Sequence, residues 1–161
     1  MSDPDRKHLV KKDDTPPVTV EHPLNPQSEM SIRLLSAGTG MNRLGISEGR
    51  LTQGKEAFVY DSHATEEEFL YILEGRGLLR ADDETMEVGA GDFIGFPTPS
   101  VAHLLSNPFR EPLVYLMGGE HRAAEVAEFP DHGKRLFRTP DAAFIVDQQH
   151  VSPLRPKSSK D

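Results

Sequence analysis

The chain has 161 residues, of which 36% are hydrophobic and 27% are charged, a composition that favours one globular domain over a disordered or membrane protein. Its formal net charge of −8 argues against nucleic acid and membrane surfaces as partners, and the lack of cysteine excludes disulfides and thiolate chemistry. The opening residues contain no apolar run typical of a signal peptide, and no stretch reaches membrane-spanning length, so we expect a cytoplasmic protein.

The two ends of the chain are predicted to lie outside the core. Residues 1–28 are polar and rich in proline, which predicts an extended N-terminal arm, and residues 151–161 read as a C-terminal tail. Within the arm, Val18 and Val20 point the same way at period two and would form a short edge strand if a partner were supplied. Residues 29–150 remain for the folded domain and its C-terminal extension.

The middle of the chain predicts short strands separated by Gly, Asp and Pro, without a convincing amphipathic helix. In "EEFLYILEG", which begins at Glu67, apolar side chains occupy both alternating faces, so we expect a central strand of the sheet. "GLLRADDETMEVG" predicts a hairpin that turns at Asp82 and Asp83, and "FIGFP", "VAHLLSN" and "LVYLMGG" continue the series. The pattern is all-β, and it leaves a sandwich and a barrel equally open.

Polar side chains gather just ahead of the "EEFLYILEG" strand. Asp61 and His63 lie two apart on a predicted strand and project from one face, and Glu68 faces the same way on the next strand after a short loop. The two strands are expected to be neighbours in a hairpin. Three polar groups on a core-facing surface are costly unless they bind each other, water or a metal, which indicates a site. Glu66 and Glu67 are predicted to be solvated.

The spacing of these residues resembles the two sequence motifs of the cupin superfamily. The first motif, a glycine, His-x-His, Glu and a closing glycine, is matched by Gly54, Asp61 in the first histidine position, His63, Glu68 and Gly75. The second is matched by Gly91, Pro97, His103 and Asn107. The chain departs from the family pattern at Asp61 and at Pro99, which stands where a glycine is usual, with one extra residue before His103. The resemblance covers roughly residues 40–120 and is typical of small single-domain bacterial members.

This resemblance implies a small antiparallel β-barrel of jelly-roll type. It also implies a divalent metal (Mn, Fe, Ni or Zn) held inside the barrel by His63, Glu68 and His103, with Asp61 as a fourth oxygen ligand or a partner through water. A small polar substrate would enter at the mouth, and Glu68 or Asp61 would accept a proton.

Several reactions are compatible with such a site. Some similar cupins are described as sugar phosphate isomerases, so isomerisation of a sugar or sugar phosphate is the first hypothesis. Dioxygen chemistry at the metal, a metal-free acid/base epimerase with His63 as base, and a non-catalytic module that binds a small molecule are the alternatives.

Two further expectations concern residues outside the site. The turn glycines Gly75 and Gly91 are predicted to have structural roles, and His121 and His132 are predicted to be surface residues. A homodimer is expected, because open barrels leave edge strands that need cover and the strand at Val18–Val20 has no obvious partner in its own chain.

Overall fold

The computed structural model describes residues 8–154, so residues 1–7 of the predicted arm and 155–161 of the predicted tail lie outside the described residues. The strands are β1 Val18–His22, β2 Asn25–Leu34, β3 Leu44–Leu51, β4 Lys55–Glu56, β5 Ser62–His63, β6 Glu68–Glu74, β7 Arg76–Ala81, β8 Glu84–Gly89, β9 Phe93–Phe96, β10 His103–Asn107, β11 Leu113–Glu120, β12 Glu125–Phe129, β13 Lys134–Arg138 and β14 Ala143–Asp147. Short 3₁₀ helices lie at Lys12–Asp14, Ser36–Thr39, Pro130–His132 and Gln148–His150. Across the described range, no helix has the length and apolar character needed to cross a membrane.

Most strands belong to one strongly curled sheet, in the order β8-β7-β10-β4-β2-β3-β11-β6-β9, with β1 added beside β2. Its strand pairs are antiparallel apart from the short parallel contact between β2 and β4. The curl wraps the sheet around a single core, whose buried members are Met30, Ile32, Leu51, Ile72, Leu79, Val88, Phe96, Leu105, Leu113 and Tyr115. The predicted all-β barrel of jelly-roll type is confirmed.

The segment predicted as an arm is a paired hairpin from Val18 onward. Val18 lies opposite Ile32 and Val20 opposite Met30, so the predicted edge strand forms and its partner is β2 of the same chain. The expectation that this strand lacks a partner was wrong, because the chain reverses between His22 and Asn25. Met30 on β2 is only 1% exposed, so the second strand of this hairpin belongs to the core.

The "EEFLYILEG" strand is β6, which lies between β11 and β9. Its inner face is covered, with Ile72 fully buried, but Tyr71 and Leu73 on its outer face are 38% and 37% exposed. The strand is therefore an interior strand of the sheet, as predicted, and its outer face is apolar and open. The hairpin predicted next to it is confirmed, since β7 and β8 pair across Asp82 and Asp83.

A second, four-stranded sheet has the order β14-β13-β12-β5. His63 on β5 lies opposite Ala127 on β12, so β5 does not pair with β6 and the hairpin predicted between them was wrong. Residues 64–67 instead carry the chain from one sheet to the other. The two halves of the first motif therefore approach the barrel interior from different sheets.

Candidate metal centre

A cavity of about 450 Å³ lies inside the curled sheet. Its walls include core side chains such as Ile32, Leu105 and Tyr115. The four predicted site residues, Asp61, His63, Glu68 and His103, all line this cavity. The polar cluster is thus enclosed by apolar walls, which is the usual setting of a small-molecule site.

The four side chains converge. His63 Nε2 lies 3.5 Å from Asp61 Oδ2 and 3.4 Å from Glu68 Oε2, and His103 Nε2 lies 3.3 Å from the same Glu68 oxygen. Two ligand atoms about 2.1 Å from a common ion at tetrahedral angles are themselves about 3.4 Å apart. Each contact has the spacing of two neighbouring metal ligands, and all four side chains line the cavity. The ligand atoms of His63, Glu68 and His103 do not, however, all lie within 4.8 Å of one another, so these side chains would have to move to hold one ion.

Backbone pairing places three of these residues. Asp61 and His103 lie opposite each other in an antiparallel bridge, with His103 N donating to Asp61 O at 2.9 Å and Asp61 N donating to His103 O at 3.3 Å. Opposed residues in such a pair project side by side from one face. His63 is held by Ser100, whose hydroxyl accepts from His63 N at 2.8 Å and whose own N–H donates to His63 O at 2.9 Å.

The His103 ring is held in one orientation. Phe96 stacks on it with 3.5 Å between ring centroids, and its Nδ1 lies 3.0 Å from the carbonyl oxygen of Val101. A neutral imidazole in this position carries its proton on Nδ1, so the lone pair of Nε2 faces Glu68 Oε2. Two acceptors 3.3 Å apart repel each other unless a cation lies between them. A proton on either atom or a metal ion between them would remove this repulsion, and imidazole and carboxylate are both common metal ligands.

His63 has an unusual affinity for a proton. Burial lowers the pKa of His63, but the hydrogen bond with Asp61 and the negative charges of Glu68, Asp61 and Glu125 outweigh burial and raise this pKa to about 9. In metal-free protein, His63 therefore carries a positive charge at neutral pH. The carboxylates around His63 favour a positive charge on or next to its ring. A divalent ion would compete with the proton for the imidazole nitrogen.

A second candidate metal site shares His63. One ligand atom from each of His63, Glu66 and Glu125 lies within 4.8 Å of the others, which is close enough for the three to hold an ion. Glu66 and Glu125 are only 5% and 3% exposed. The prediction that Glu66 is solvated was wrong, because its Oε1 accepts from Arg122 N at 2.6 Å and from Arg138 Nη2.

Glu125 is occupied by hydrogen bonds from the loop that joins the two sheets. Its Oε1 accepts from Ala64 N at 2.7 Å, and its Oε2 accepts from Thr65 Oγ1 at 2.5 Å and from Thr65 N at 3.1 Å. Burial raises the pKa of Glu125, but these hydrogen bonds and the positive charge of His63 outweigh it and lower the pKa. Glu125 is therefore an ionised carboxylate that fixes the loop between His63 and Glu68.

Glu125 and Arg138 reach the site from β12 and β13, which sequence reasoning did not connect with it. Nothing in "EVAEFPDHGKRLFR" signals a ligand, because the contacts exist only once the second sheet forms. His121 is exposed as predicted, yet it also lines the mouth of the cavity with its ring over Gly45.

Other motif residues shape turns, as predicted. Gly75 has φ +76, and a Cβ there would lie 2.3 Å from the carbonyl oxygen of Pro112, so the position requires glycine. Asn107 is 1% exposed and its amide donates to the carbonyl oxygens of Leu51 and Glu111. These residues position the strands around the site without entering it.

Comparison with known proteins places these motifs in a family. The cupin domain model matches residues 49–119. An uncharacterized protein of Methanocaldococcus jannaschii is 39% identical over 71 residues, which cover 44% of this chain and only 55% of that relative's length.

Solved structures extend the similarity over nearly the whole chain. A proposed sugar phosphate isomerase from Acidithiobacillus ferrooxidans has 32% sequence identity and a TM-score of 0.89, with 94% of this chain and 99% of that chain covered. A sugar phosphate isomerase of the cupin superfamily from Silicibacter pomeroyi has 21% identity and a TM-score of 0.79, with 91% and 96% covered, and shows the shared fold. The strands beyond residue 119 therefore belong to a complete fold of this type.

Proposed function

The chain belongs to the cupin superfamily, and from this premise we propose that it is a divalent-metal-dependent isomerase of a sugar or sugar phosphate. The observation that carries the proposal is that Nε2 of both His63 and His103 lies within 3.4 Å of Glu68 Oε2 inside a cavity with apolar walls. The choice of reaction is supported by similarity to the Acidithiobacillus ferrooxidans protein.

The proposed ligands are His63, Glu68 and His103, with Asp61 as a fourth ligand, either directly or through water. The ligand atoms of His63, Glu66 and Glu125 lie closer together. We favour the first set because Glu66 and Glu125 already accept several hydrogen bonds. Within residues 8–154, the side chains of Asp61 and Glu68 make polar contacts only with the imidazoles of the cluster. Their remaining lone pairs are therefore available to an ion.

An ion bound there would polarise the carbonyl group of a substrate and make the neighbouring C–H more acidic. A carboxylate oxygen of Asp61 or Glu68 that does not hold the ion would accept the proton from the carbon next to the carbonyl and return it to the carbonyl carbon. The proton of the neighbouring hydroxyl would pass to the former carbonyl oxygen in the same sequence. The carbonyl and hydroxyl groups thereby exchange positions with no net gain or loss of atoms. The apolar walls would keep bulk water away from the reacting carbon atoms.

Two measurements test the proposal. Elemental analysis of untagged protein should find a divalent metal at close to one equivalent. Aldose and ketose phosphates incubated with the metal-loaded protein in D₂O should then gain deuterium at the carbon next to the carbonyl, detected by NMR. Glu68→Gln should lose metal and exchange together, whereas Glu67→Gln, which changes an exposed neighbour, should retain both.

The alternatives give different results in the same experiments. Exchange that persists after metal removal would support the metal-free epimerase with His63 as a proton carrier. Sugar binding without any exchange, with or without metal, would support a non-catalytic binding module. Oxygen consumption in place of exchange by the metal-loaded protein would indicate a dioxygenase.

A further inference from the structure

The mouth of the cavity is built partly by residues outside the segment that matches the cupin domain model. Arg138 at the end of β13 and His121 just after β11 both line the cavity that contains Asp61, His63, Glu68 and His103. Neither residue belongs to the proposed metal centre, so their presence in the same cavity requires a separate explanation.

The Arg138 guanidinium is hydrogen-bonded through Nη2, and within the described residues its other nitrogens are free to bind a ligand. Its Nη2 donates to the buried carboxylate of Glu66 and, at 3.3 Å, to the carbonyl oxygen of Arg122. Among residues 8–154 its other guanidinium nitrogens make no hydrogen bond, and the side chain is 33% exposed. The anchored guanidinium therefore keeps N–H donors for a ligand at the cavity mouth, and its orientation is fixed before any ligand arrives.

Arg138 is one of the few basic residues on a cavity lining that carries several acidic ones. The acidic residues that line the cavity are Asp61, Glu66, Glu68 and Glu120. Apart from the two imidazoles of the centre, the basic side chains on this lining are Arg138 and His121. An anionic ligand with one end at the centre would therefore place its negative group against these two residues.

The separation between the two regions suits a short ligand. Ligand atoms of His63 and Glu66 lie within 4.8 Å of each other, and Glu66 is in direct contact with Arg138. A single carboxylate thus separates the guanidinium from the centre. A small sugar with a phosphate at its far end has room to span this gap within a cavity of about 450 Å³.

We propose that Arg138 forms the subsite for the phosphate monoester of a sugar phosphate, with His121 of the same cavity lining as a second donor, and that the carbonyl end of this sugar lies at the His63, Glu68 and His103 centre. The proposal rests on the proposed function and narrows its substrate class to phosphorylated sugars. The planar guanidinium suits a phosphate because two parallel N–H groups can bind two phosphate oxygens. His121, just after the end of β11, lines the same cavity from the other sheet.

A purely structural role for Arg138 is the competing explanation, since the Glu66 contact also ties β13 to the loop after β5. Arg135 provides a matched control. It lies on the same strand, is similarly half-buried, pairs with Glu128 at 2.5 Å, and does not line the cavity. Loss of Arg135 removes a strand-to-strand ion pair without touching the proposed subsite.

The test measures binding of inorganic phosphate, ribose 5-phosphate and ribose to the full chain by NMR and calorimetry, with and without added metal. Arg138→Gln should weaken phosphate and ribose 5-phosphate binding about 10- to 100-fold and leave ribose binding unchanged. Arg138→Lys keeps the charge and should give an intermediate loss, which also serves if the glutamine variant unfolds. Arg135→Gln should bind like wild type.

Equal losses in the Arg138 and Arg135 variants, or no preference for ribose 5-phosphate over ribose in wild type, would overturn the subsite. Phosphate binding that depends on Arg138 without deuterium exchange would reject the isomerase and retain the subsite. Deuterium exchange on unphosphorylated sugars that does not depend on Arg138 would retain the isomerase and reject the subsite.

Discussion

Asp61 sets the charge of the proposed centre. Two carboxylates and two neutral imidazoles would leave a divalent ion formally uncharged, whereas three imidazoles and one carboxylate would leave a charge of +1. An uncharged centre is less costly in a cavity with apolar walls. Oxygen ligands also favour harder ions, so Asp61 should shift the preference toward Mn(II) or Fe(II).

We predict that metal preference follows the residue at position 61. Asp61→His should fold normally and bind Ni(II) or Zn(II) more tightly than wild type, and Asp61→Ala should weaken Mn(II) binding about tenfold or more at neutral pH. Calorimetric titration measures these affinities, with Asp83→Ala in the exposed β7–β8 turn as the control. Equal affinities in all variants would show that Asp61 does not contact the ion.

The raised pKa of His63 predicts how metal-free protein responds to pH. A folded pKa of about 9 against an ordinary value of 6.5 means that the charged form stabilises the fold. This contribution, up to about 3 kcal/mol, is complete below pH 6.5 and is lost as the pH rises through 9. NMR titration should place the His63 pKa near 9 in metal-free wild type and lower it in Asp61→Asn, and unfolding in urea should show lower stability at pH 10 than at pH 7. A His63 that titrates near its ordinary pKa would contradict this.

The four residues of the centre were predictable because the motif spacing identifies them, whatever the strand order. The residues around them were not. Glu66 was predicted to be solvated like Glu67, and its burial depends on Arg122 and Arg138, which lie 56 and 72 residues away along the chain. Side chains that are buried by distant polar partners leave no periodic signal in the sequence.

At the scale of elements, the carboxylate of Glu125 holds the loop between β5 and β6. Glu125→Ala should destabilise the protein by about 2–3 kcal/mol, because it removes the acceptor for N–H groups of Ala64 and Thr65 at a buried position. Urea unfolding measures this change, and Glu128→Ala, which removes a more exposed ion pair with Arg135, should cost less than about 1 kcal/mol.

The carboxylate of Glu125 also makes the stability of the protein depend on pH in the acid range. Because the folded pKa of Glu125 is lowered, its contribution is present above its ordinary pKa of 4.5 and is lost as the pH falls through the folded value. Glu125→Ala should therefore show a weaker loss of stability on acidification than wild type. An identical acid profile in both proteins would contradict the role assigned to Glu125.

Strand existence was predictable from alternation, but the sheet to which each strand belongs was not. The period of two places Asp61 and His63 on one face without indicating the strand that lies beside them. β5 pairs with β12, which follows more than 60 residues later, and a hairpin with β6 was the natural expectation from a short loop. Long-range pairing of this kind requires the folded structure.

Close contacts between strands give a second element-scale prediction. A Cβ at Gly49 on β3 would lie 2.5 Å from Cζ of Tyr115, which is fully buried on β11 and cannot move aside. Gly49→Ala should therefore destabilise the protein by about 1–3 kcal/mol. Gly95→Ala on β9 is the matched control, because its nearest contact would be an ordinary 3.4 Å to Phe93. Similar melting temperatures for the two variants would contradict the prediction.

At the scale of the whole molecule, the outer face of the curled sheet is apolar where β3, β11, β6 and β9 lie side by side. Leu44, Tyr71 and Phe93 are 43%, 38% and 67% exposed, Tyr71 lies opposite Phe93, and Phe69 stacks on Phe93 with 5.7 Å between ring centroids. β9 is the last strand on this side of the sheet within the described chain. An aromatic surface of this kind, next to a sheet edge, suits contact with a second copy of the chain.

We therefore propose that the protein is a homodimer joined through this face, and not through exchange of the N-terminal segment, because β1 already pairs with β2 of its own chain. A two-fold interface places the same aromatic residues of both copies opposite each other. Phe93→Glu would therefore bury two negative charges in the interface, one from each copy. Light scattering should find a dimer for wild type and for a chain lacking residues 1–16, and a monomer for Phe93→Glu. Phe144→Glu, at a position 56% exposed on β14 of the other sheet, should remain dimeric. A monomeric wild type, or dissociation caused by Phe144→Glu and not by Phe93→Glu, would contradict this interface.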